Sequence, residues 1–126
     1  MNLARTILAV LFGIFLIIGG INHFIRPEMY HPLIPDYLPK LAVNYVTGIV
    51  EFILGVGVMV PKYRPRFGFG IVILMCLFLP VHVWDVVRDN PAMGSHTAAM
   101  VRLSLQFVLI YLAWFISKPD KRPNTK

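Results

Sequence analysis

Four long apolar runs alternate with short polar segments along the chain. The runs cover residues 3–24, 41–60, 67–87 and 98–117. Each is close to the ~20 residues that an α-helix needs to cross the hydrocarbon of a bilayer. Only helices and closed barrels satisfy their backbone hydrogen bonds in lipid, and barrel strands are shorter and alternate in polarity. The pattern therefore predicts an all-α integral membrane protein, a four-transmembrane-helix bundle in a single membrane domain, residues 1–126.

The segments between the runs differ in character. Residues 26–40 carry four prolines and cannot form a regular helix, and we call this segment the proline-rich loop. A tight basic turn occupies residues 61–66, a polar loop residues 88–97 and a polar tail residues 118–126. The first run begins like a signal peptide but ends without an A-x-A cleavage site, so it is interpreted as a retained span.

Composition excludes two classes of protein. The chain is 57% hydrophobic and 14% charged, and a soluble domain of 126 residues could not bury that much apolar surface. The net charge of +6 could indicate nucleic-acid binding, but the basic residues stand in short blocks beside apolar runs, which is typical of membrane topology.

The single cysteine, Cys76, excludes a disulfide within the chain and a C-x-x-C redox motif.

Lysine and arginine counts predict the orientation. The N-terminus, the basic turn and the tail hold eight: Arg5, Lys62, Arg64, Arg66, Lys118, Lys121, Arg122 and Lys126. The opposite side holds four: Arg26, Lys40, Arg88 and Arg102. The positive-inside rule then places both termini in the cytoplasm and the proline-rich loop outside.

Polar side chains interrupt the apolar runs, mostly toward the predicted outer end. The candidate ligand-binding residues are His23, Asn44, Glu51, His82, Asp85, Arg102 and Gln106. Within each helix, residues three or four apart share a face, as His82 and Asp85 do, and Arg102 and Gln106. Glycines at similar spacing beside these residues would let helix backbones approach closely. The sequence therefore predicts an interior polar pocket that opens outward.

Each ionisable residue also has a structural interpretation. An ionised group at the centre of a span costs ~2.5–3.5 kcal/mol on insertion scales, and it is a functional hypothesis by default. Asp85 and Arg102 could instead form an ion pair that joins spans three and four. Glu51 could pair with Arg102 or remain a neutral, protonated carboxyl. His23 and His82 could be hydrogen-bonded packing histidines or contacts to a ligand.

Several segments together resemble the DoxX family of small bacterial membrane proteins. They are GGINHFIRPEMY at 19–30, IPDYLP at 34–39, YVTGIVEFILG at 45–55, PKYRPR at 61–66 and LFLPVH at 77–82. The resemblance covers roughly residues 5–117 and implies a four-helix bundle in the bacterial cytoplasmic membrane. It carries over residue by residue for His23, Glu51 and Pro80, none of which forms a catalytic signature. Pro80 also predicts a kink that frees a backbone carbonyl near His82.

The family includes a subunit associated with thiosulfate:quinone oxidoreduction and a methylamine-utilisation protein linked to redox maturation. The resemblance therefore implies an accessory or assembly subunit of a membrane redox system, bound to a redox-enzyme partner. The absence of a thiol pair argues against a direct dithiol role.

The alternative is a quinone- or other lipophile-binding protein whose polar pocket opens to the outer leaflet. A bis-histidine haem held by His23 and His82 is a weaker option, and no other metal site is predicted. The short soluble segments favour a protein without independent catalytic activity, although the sequence leaves this open. The expected partners are the lipid bilayer and, through the glycine seams, a second copy of the chain, with no nucleic acid.

Overall fold

Four long helices make up the protein. In the computed structural model, which describes residues 2–120, the chain forms no strand, and its long helices are α1 (Leu3–Ile25), α2 (Lys40–Met59), α3 (Arg64–Val87) and α4 (His96–Ser117). Each is long and apolar enough to cross a membrane, and most large apolar side chains on their outer faces are exposed. The prediction of an all-α, multi-pass membrane protein is confirmed. The part of the predicted polar tail after Asp120 lies outside the described residues.

Local signals explain where the helices begin. Asn2 caps α1 by accepting a hydrogen bond of 3.0 Å from the backbone N–H of Ala4. Ser95 caps α4 by accepting one of 3.0 Å from Ala98, so α4 starts two residues before the predicted span. The third helix begins three residues early, at Arg64, because Pro65 in the first turn loses no helical hydrogen bond there.

Reciprocal glycine pairs hold α1 and α2 together as an antiparallel hairpin. Gly13 faces Gly55, and Gly20 faces Gly48. A Cβ atom added to any of the four would lie only 2.7 or 2.8 Å from the carbonyl oxygen of the opposite glycine. The glycine seams therefore serve packing within one chain, which was one of the two uses predicted for them.

The third and fourth helices form a second hairpin, which is also closely packed. A Cβ on Gly68 would lie 2.9 Å from the Cα of Ser117. The two hairpins contact each other far less than their own helices do. The bundle therefore has its loosest packing between the hairpins.

The two ends of the bundle differ in polarity. At the end that carries the chain termini, the buried core is apolar and contains Ala9, Phe12, Leu16, Val58, Ile71, Leu74, Met75, Ala113 and Ile116. Arg64 is the exception, since only 4% of it is exposed and it donates hydrogen bonds to the Val58 carbonyl and the Thr6 hydroxyl, both at 3.2 Å. At the other end, the proline-rich loop connects α1 to α2, with its last residue, Lys40, opening α2.

Candidate functional site

A cavity of about 610 Å³ lies between the two hairpins, against the proline-rich loop. This volume falls in the ~300–1,000 Å³ range typical of small-molecule pockets. All four helices and the loop contribute to its walls. Six of the seven predicted site residues border it: His23, Asn44, Glu51, His82, Arg102 and Gln106. Most of the remaining lining is apolar, including Phe15, Leu16, Met75, Phe78, Leu105 and Leu109.

One wall of the cavity carries a hydrogen-bonded chain of three polar side chains. Asn44 is fully buried, and its amide nitrogen donates to the Pro27 carbonyl at 2.9 Å. The amide oxygen of Asn44 therefore faces Nδ1 of His23, with which it forms a hydrogen bond. The other ring nitrogen, Nε2, lies 3.4 Å from Oε1 of Glu51. Glu51 thus pairs with His23, and the predicted alternative of a Glu51–Arg102 pair is wrong.

The hydrogen bonds among these three side chains determine which nitrogen of His23 carries a proton. An amide oxygen can only accept, so Nδ1 of His23 must be the donor to Asn44. Nε2 then satisfies Glu51 either as the N–H of an imidazolium facing a carboxylate or as an acceptor from a protonated carboxyl. In both forms one proton lies between His23 and Glu51. This arrangement can hold a proton at the cavity wall or pass it to a bound molecule.

The opposite wall presents side chains from α3 and α4. Gln106 donates from its amide nitrogen to the Met75 carbonyl at 2.7 Å, five residues before Pro80 in the continuous helix α3. His82 is 6% exposed, and its Nδ1 has no hydrogen-bond partner among the described residues. Arg102 contacts the Met93 sulfur at 3.3 Å. The two walls therefore offer different chemistry, a shared proton on one side and the remaining N–H groups of Arg102 on the other.

Asp85 does not border the cavity. It is 1% exposed, and its Oδ1 accepts a hydrogen bond of 2.6 Å from the Ala92 N–H in the connection between α3 and α4. Its nearest cation among the described residues is Arg88, which directly follows α3 and lies 3.8 Å away. The predicted ion pair between Asp85 and Arg102 is therefore wrong. Asp85 fastens the local connection, because a carboxylate that accepts a backbone N–H substitutes for a missing backbone acceptor.

The proline-rich loop is fastened over the cavity by contacts that the sequence analysis did not identify. The Tyr30 ring stacks on His23 with centroids 3.7 Å apart, and its hydroxyl accepts from Asn22 at 2.9 Å. Arg88 donates to the Pro32 carbonyl at 2.6 Å. The sequence indicates only a topological role for Arg88, because no pattern within one helix signals a bond to a loop more than fifty residues away.

An ion pair joins the proline-rich loop to the first residue of α2. Lys40 lies 2.8 Å from Asp36, and this hydrogen bond lowers the pKa of the Asp36 carboxyl below its ordinary value. Both groups are at the loop surface rather than in the cavity. The pair therefore bears on the loop's attachment to α2 and not on ligand contacts.

The donor set does not suit the haem that the sequence analysis considered. Both nitrogens of His23 are engaged, by Asn44 and by Glu51, so neither can offer a lone pair to iron without breaking a buried contact. Residues 2–120 also contain no group of three histidine, cysteine or acidic side chains arranged to hold a metal ion.

Comparison with known proteins adds a family but no activity. No curated protein and no solved structure matches the chain. A family model, described as a domain of unknown function (DUF8561), matches residues 12–117, a range that contains every side chain in the cavity wall. The chain thus belongs to the DUF8561 family.

Proposed function

We propose that this protein binds a lipophilic small molecule with a polar head group inside the membrane, in the cavity beneath the proline-rich loop. The observation that carries the proposal is the cavity itself, in which apolar walls meet converging polar side chains at one end. A lipophile could reach it through the loosely packed boundary between the two hairpins. Its head group would then meet hydrogen-bonding groups from all four helices.

A quinone is one ligand class that suits this arrangement. Its ring would occupy the apolar part of the cavity, and its carbonyl oxygens would accept hydrogen bonds from Arg102 or His82. The proton between His23 and Glu51 lies at the same cavity, where it could be given to or taken from a hydroxyl. The hydrogen-bonding groups of Arg102 and His82 and the proton between His23 and Glu51 support quinone binding, and this chemistry needs no thiol.

Replacing Glu51 tests the pocket. Glu51→Gln removes the carboxyl that shares a proton with His23 while keeping the shape of the side chain, and it should raise the half-saturating concentration of a short-chain benzoquinone about ten-fold, ~1.4 kcal/mol. Binding would be measured as the ligand-dependent rise in melting temperature of the protein in dodecyl maltoside micelles. Glu28→Gln, an exposed carboxyl of the loop, is the matched control and should not change binding. Unchanged quinone binding by a Glu51→Gln variant of normal stability would contradict the pocket.

A role as an accessory or assembly subunit is a second proposal. It is supported by the small extent of the chain outside the helices, because residues 60–63 and 88–95 form connections too short for a catalytic domain. The DoxX resemblance would make the partner a membrane redox enzyme. Affinity purification from native membranes in mild detergent should then return a stable redox enzyme, and recovery of the protein alone would contradict this role.

Orientation and location form part of the same proposals. The positive-inside rule supports cytoplasmic termini and a cavity that opens toward the outer leaflet of a bacterial cytoplasmic membrane. A C-terminal green fluorescent protein should therefore fluoresce, whereas a C-terminal alkaline phosphatase should be inactive. The reverse pattern would place the termini outside and the cavity toward the cytoplasmic leaflet.

A further inference from the structure

Arg102 is the permanently charged side chain of the cavity, and no carboxylate among the described residues forms an ion pair with it. Arg102 is partly buried, and of the buried carboxylates at this end of the bundle, Glu51 faces His23 and Asp85 faces Arg88. No carboxylate of residues 2–120 lies within 4.0 Å of the Arg102 guanidinium. Its one side-chain hydrogen bond is to the sulfur of Met93, a weak acceptor that uses one of five N–H donors. The cavity therefore borders a cation that no carboxylate contacts, although the negative charge of Asp85 acts on it from beyond ion-pair distance.

His82 is a second polar side chain on the same wall of the cavity. The side chain is more than nine-tenths buried and borders the cavity, yet its Nδ1 has no hydrogen-bond partner in the part of the chain that the structure describes. Nδ1 itself has no accessible surface in the cavity, but the ring borders the cavity, so a head group placed between His82 and Arg102 would contact both side chains.

We infer that the bound lipophile is an anionic amphiphile, an alkyl chain with an oxyanion head group. This inference rests on the proposed lipophile-binding function and specifies its ligand. An oxyanion neutralises Arg102 and accepts several of its N–H groups, often two in parallel. A neutral carbonyl accepts a hydrogen bond but leaves the charge in place. The alkyl chain lies along the apolar wall that includes Phe15, Phe78 and Leu105.

The head group can be a carboxylate, as in a free fatty acid, or a phosphate, as in a single-chain lipid phosphate. Both present the same charged oxygens to Arg102. The chemistry on the opposite wall is compatible with either, since Glu51 is already paired with His23 and does not repel the head group as an isolated carboxylate would.

The test compares ligands that differ only in the head group. Dodecanoate, dodecyl phosphate, dodecanol and decyl-benzoquinone are titrated against the protein in dodecyl maltoside at pH 8, and the melting temperature is followed. We expect at least one anion to reach half-saturation at a concentration ten-fold or more below that of dodecanol, and the better anion identifies the source of the head group. Equal potency of dodecanol and both anions overturns the inference.

Variants assign the preference to Arg102. Arg102→Gln should remove the difference between anion and alcohol, whereas Arg26→Gln, an exposed arginine of the loop, should leave it intact. Arg102→Lys keeps the charge and should retain part of the preference, so it serves where the glutamine variant does not fold. A preference that persists in Arg102→Gln overturns the inference. Stabilisation by decyl-benzoquinone alone also overturns it but leaves the proposed function standing, whereas stabilisation by none of the four ligands refutes both.

Discussion

The contact between Gly13 and Gly55 allows a quantitative test of how the first hairpin is held together. A Cβ on Gly55 would lie 2.8 Å from the Gly13 carbonyl oxygen and 3.1 Å from the backbone nitrogen of Ile17, whereas ordinary contact begins at 3.4 Å. Backbone atoms cannot rotate away, so Gly55→Ala must move α1 and α2 apart by roughly 0.6 Å. Overpacking of this kind costs ~1–3 kcal/mol, partly offset by the ~1 kcal/mol that alanine gains over glycine in a helix.

A second glycine provides the matched control. A Cβ on Gly70 of α3 would lie 2.9 Å from the Leu54 Cδ2, the end of a flexible side chain that can rotate away. Gly70→Ala should therefore keep or raise the free energy of unfolding, whereas Gly55→Ala should lower it by up to ~2 kcal/mol. Unfolding would be followed by tryptophan fluorescence as sodium dodecyl sulfate is titrated into maltoside micelles. If Gly55→Ala proves as stable as Gly70→Ala, the close glycine contact does not determine the packing of the hairpin.

Three further predictions concern polar contacts. Arg64→Met leaves buried acceptors without a donor and should lower the free energy of unfolding by ~1–3 kcal/mol, whereas the exposed Arg66→Met should stay within ~0.5 kcal/mol in the same titration. Arg88→Gln removes the hydrogen bond to the proline-rich loop and should speed amide deuterium exchange in the loop but not in α1. If the loop amides of the variant exchange as slowly as those of the wild type, Arg88 does not fasten the loop. Because Lys40 lowers the pKa of Asp36, the stability that this pair adds is present at neutral pH and is lost as the pH falls below 3.8. The melting temperatures of wild type and Asp36→Asn should therefore differ at pH 6 and converge on acidification, and a constant difference would contradict the pair's role.

The sequence predicted the helices well because lipid imposes a simple rule. A run of about twenty apolar residues can be recognised as a membrane span without knowledge of tertiary contacts. Errors at the helix starts came from local effects, as where Pro65 is accommodated in the first turn of α3. The glycines beside Glu51 also indicated close helix packing, and the structure shows which partner each one meets.

The polar site was harder to predict, because helical spacing gives a face but not a partner. Helical spacing predicts that His23, Asn44 and Glu51 face the interior. Only the fold shows that Asn44 lies between the proline-rich loop and the His23 ring. Asp85 was assigned to the pocket because it lies three residues from His82, yet its carboxylate turns to the Ala92 N–H in the following connection. Such contacts with irregular backbone have no periodic signature.

The buried amide of Asn44 makes the position of the proline-rich loop and the state of the histidine interdependent. One end of the amide is committed to the Pro27 carbonyl and the other to the His23 ring. A flip of the amide would break both bonds at once, so neither the loop nor the ring can exchange its partner alone. If the loop withdraws, Asn44 becomes free to rotate, and His23 loses the contact that fixes its tautomer. The position of the proline-rich loop and the tautomer of His23 are thus linked through one side chain.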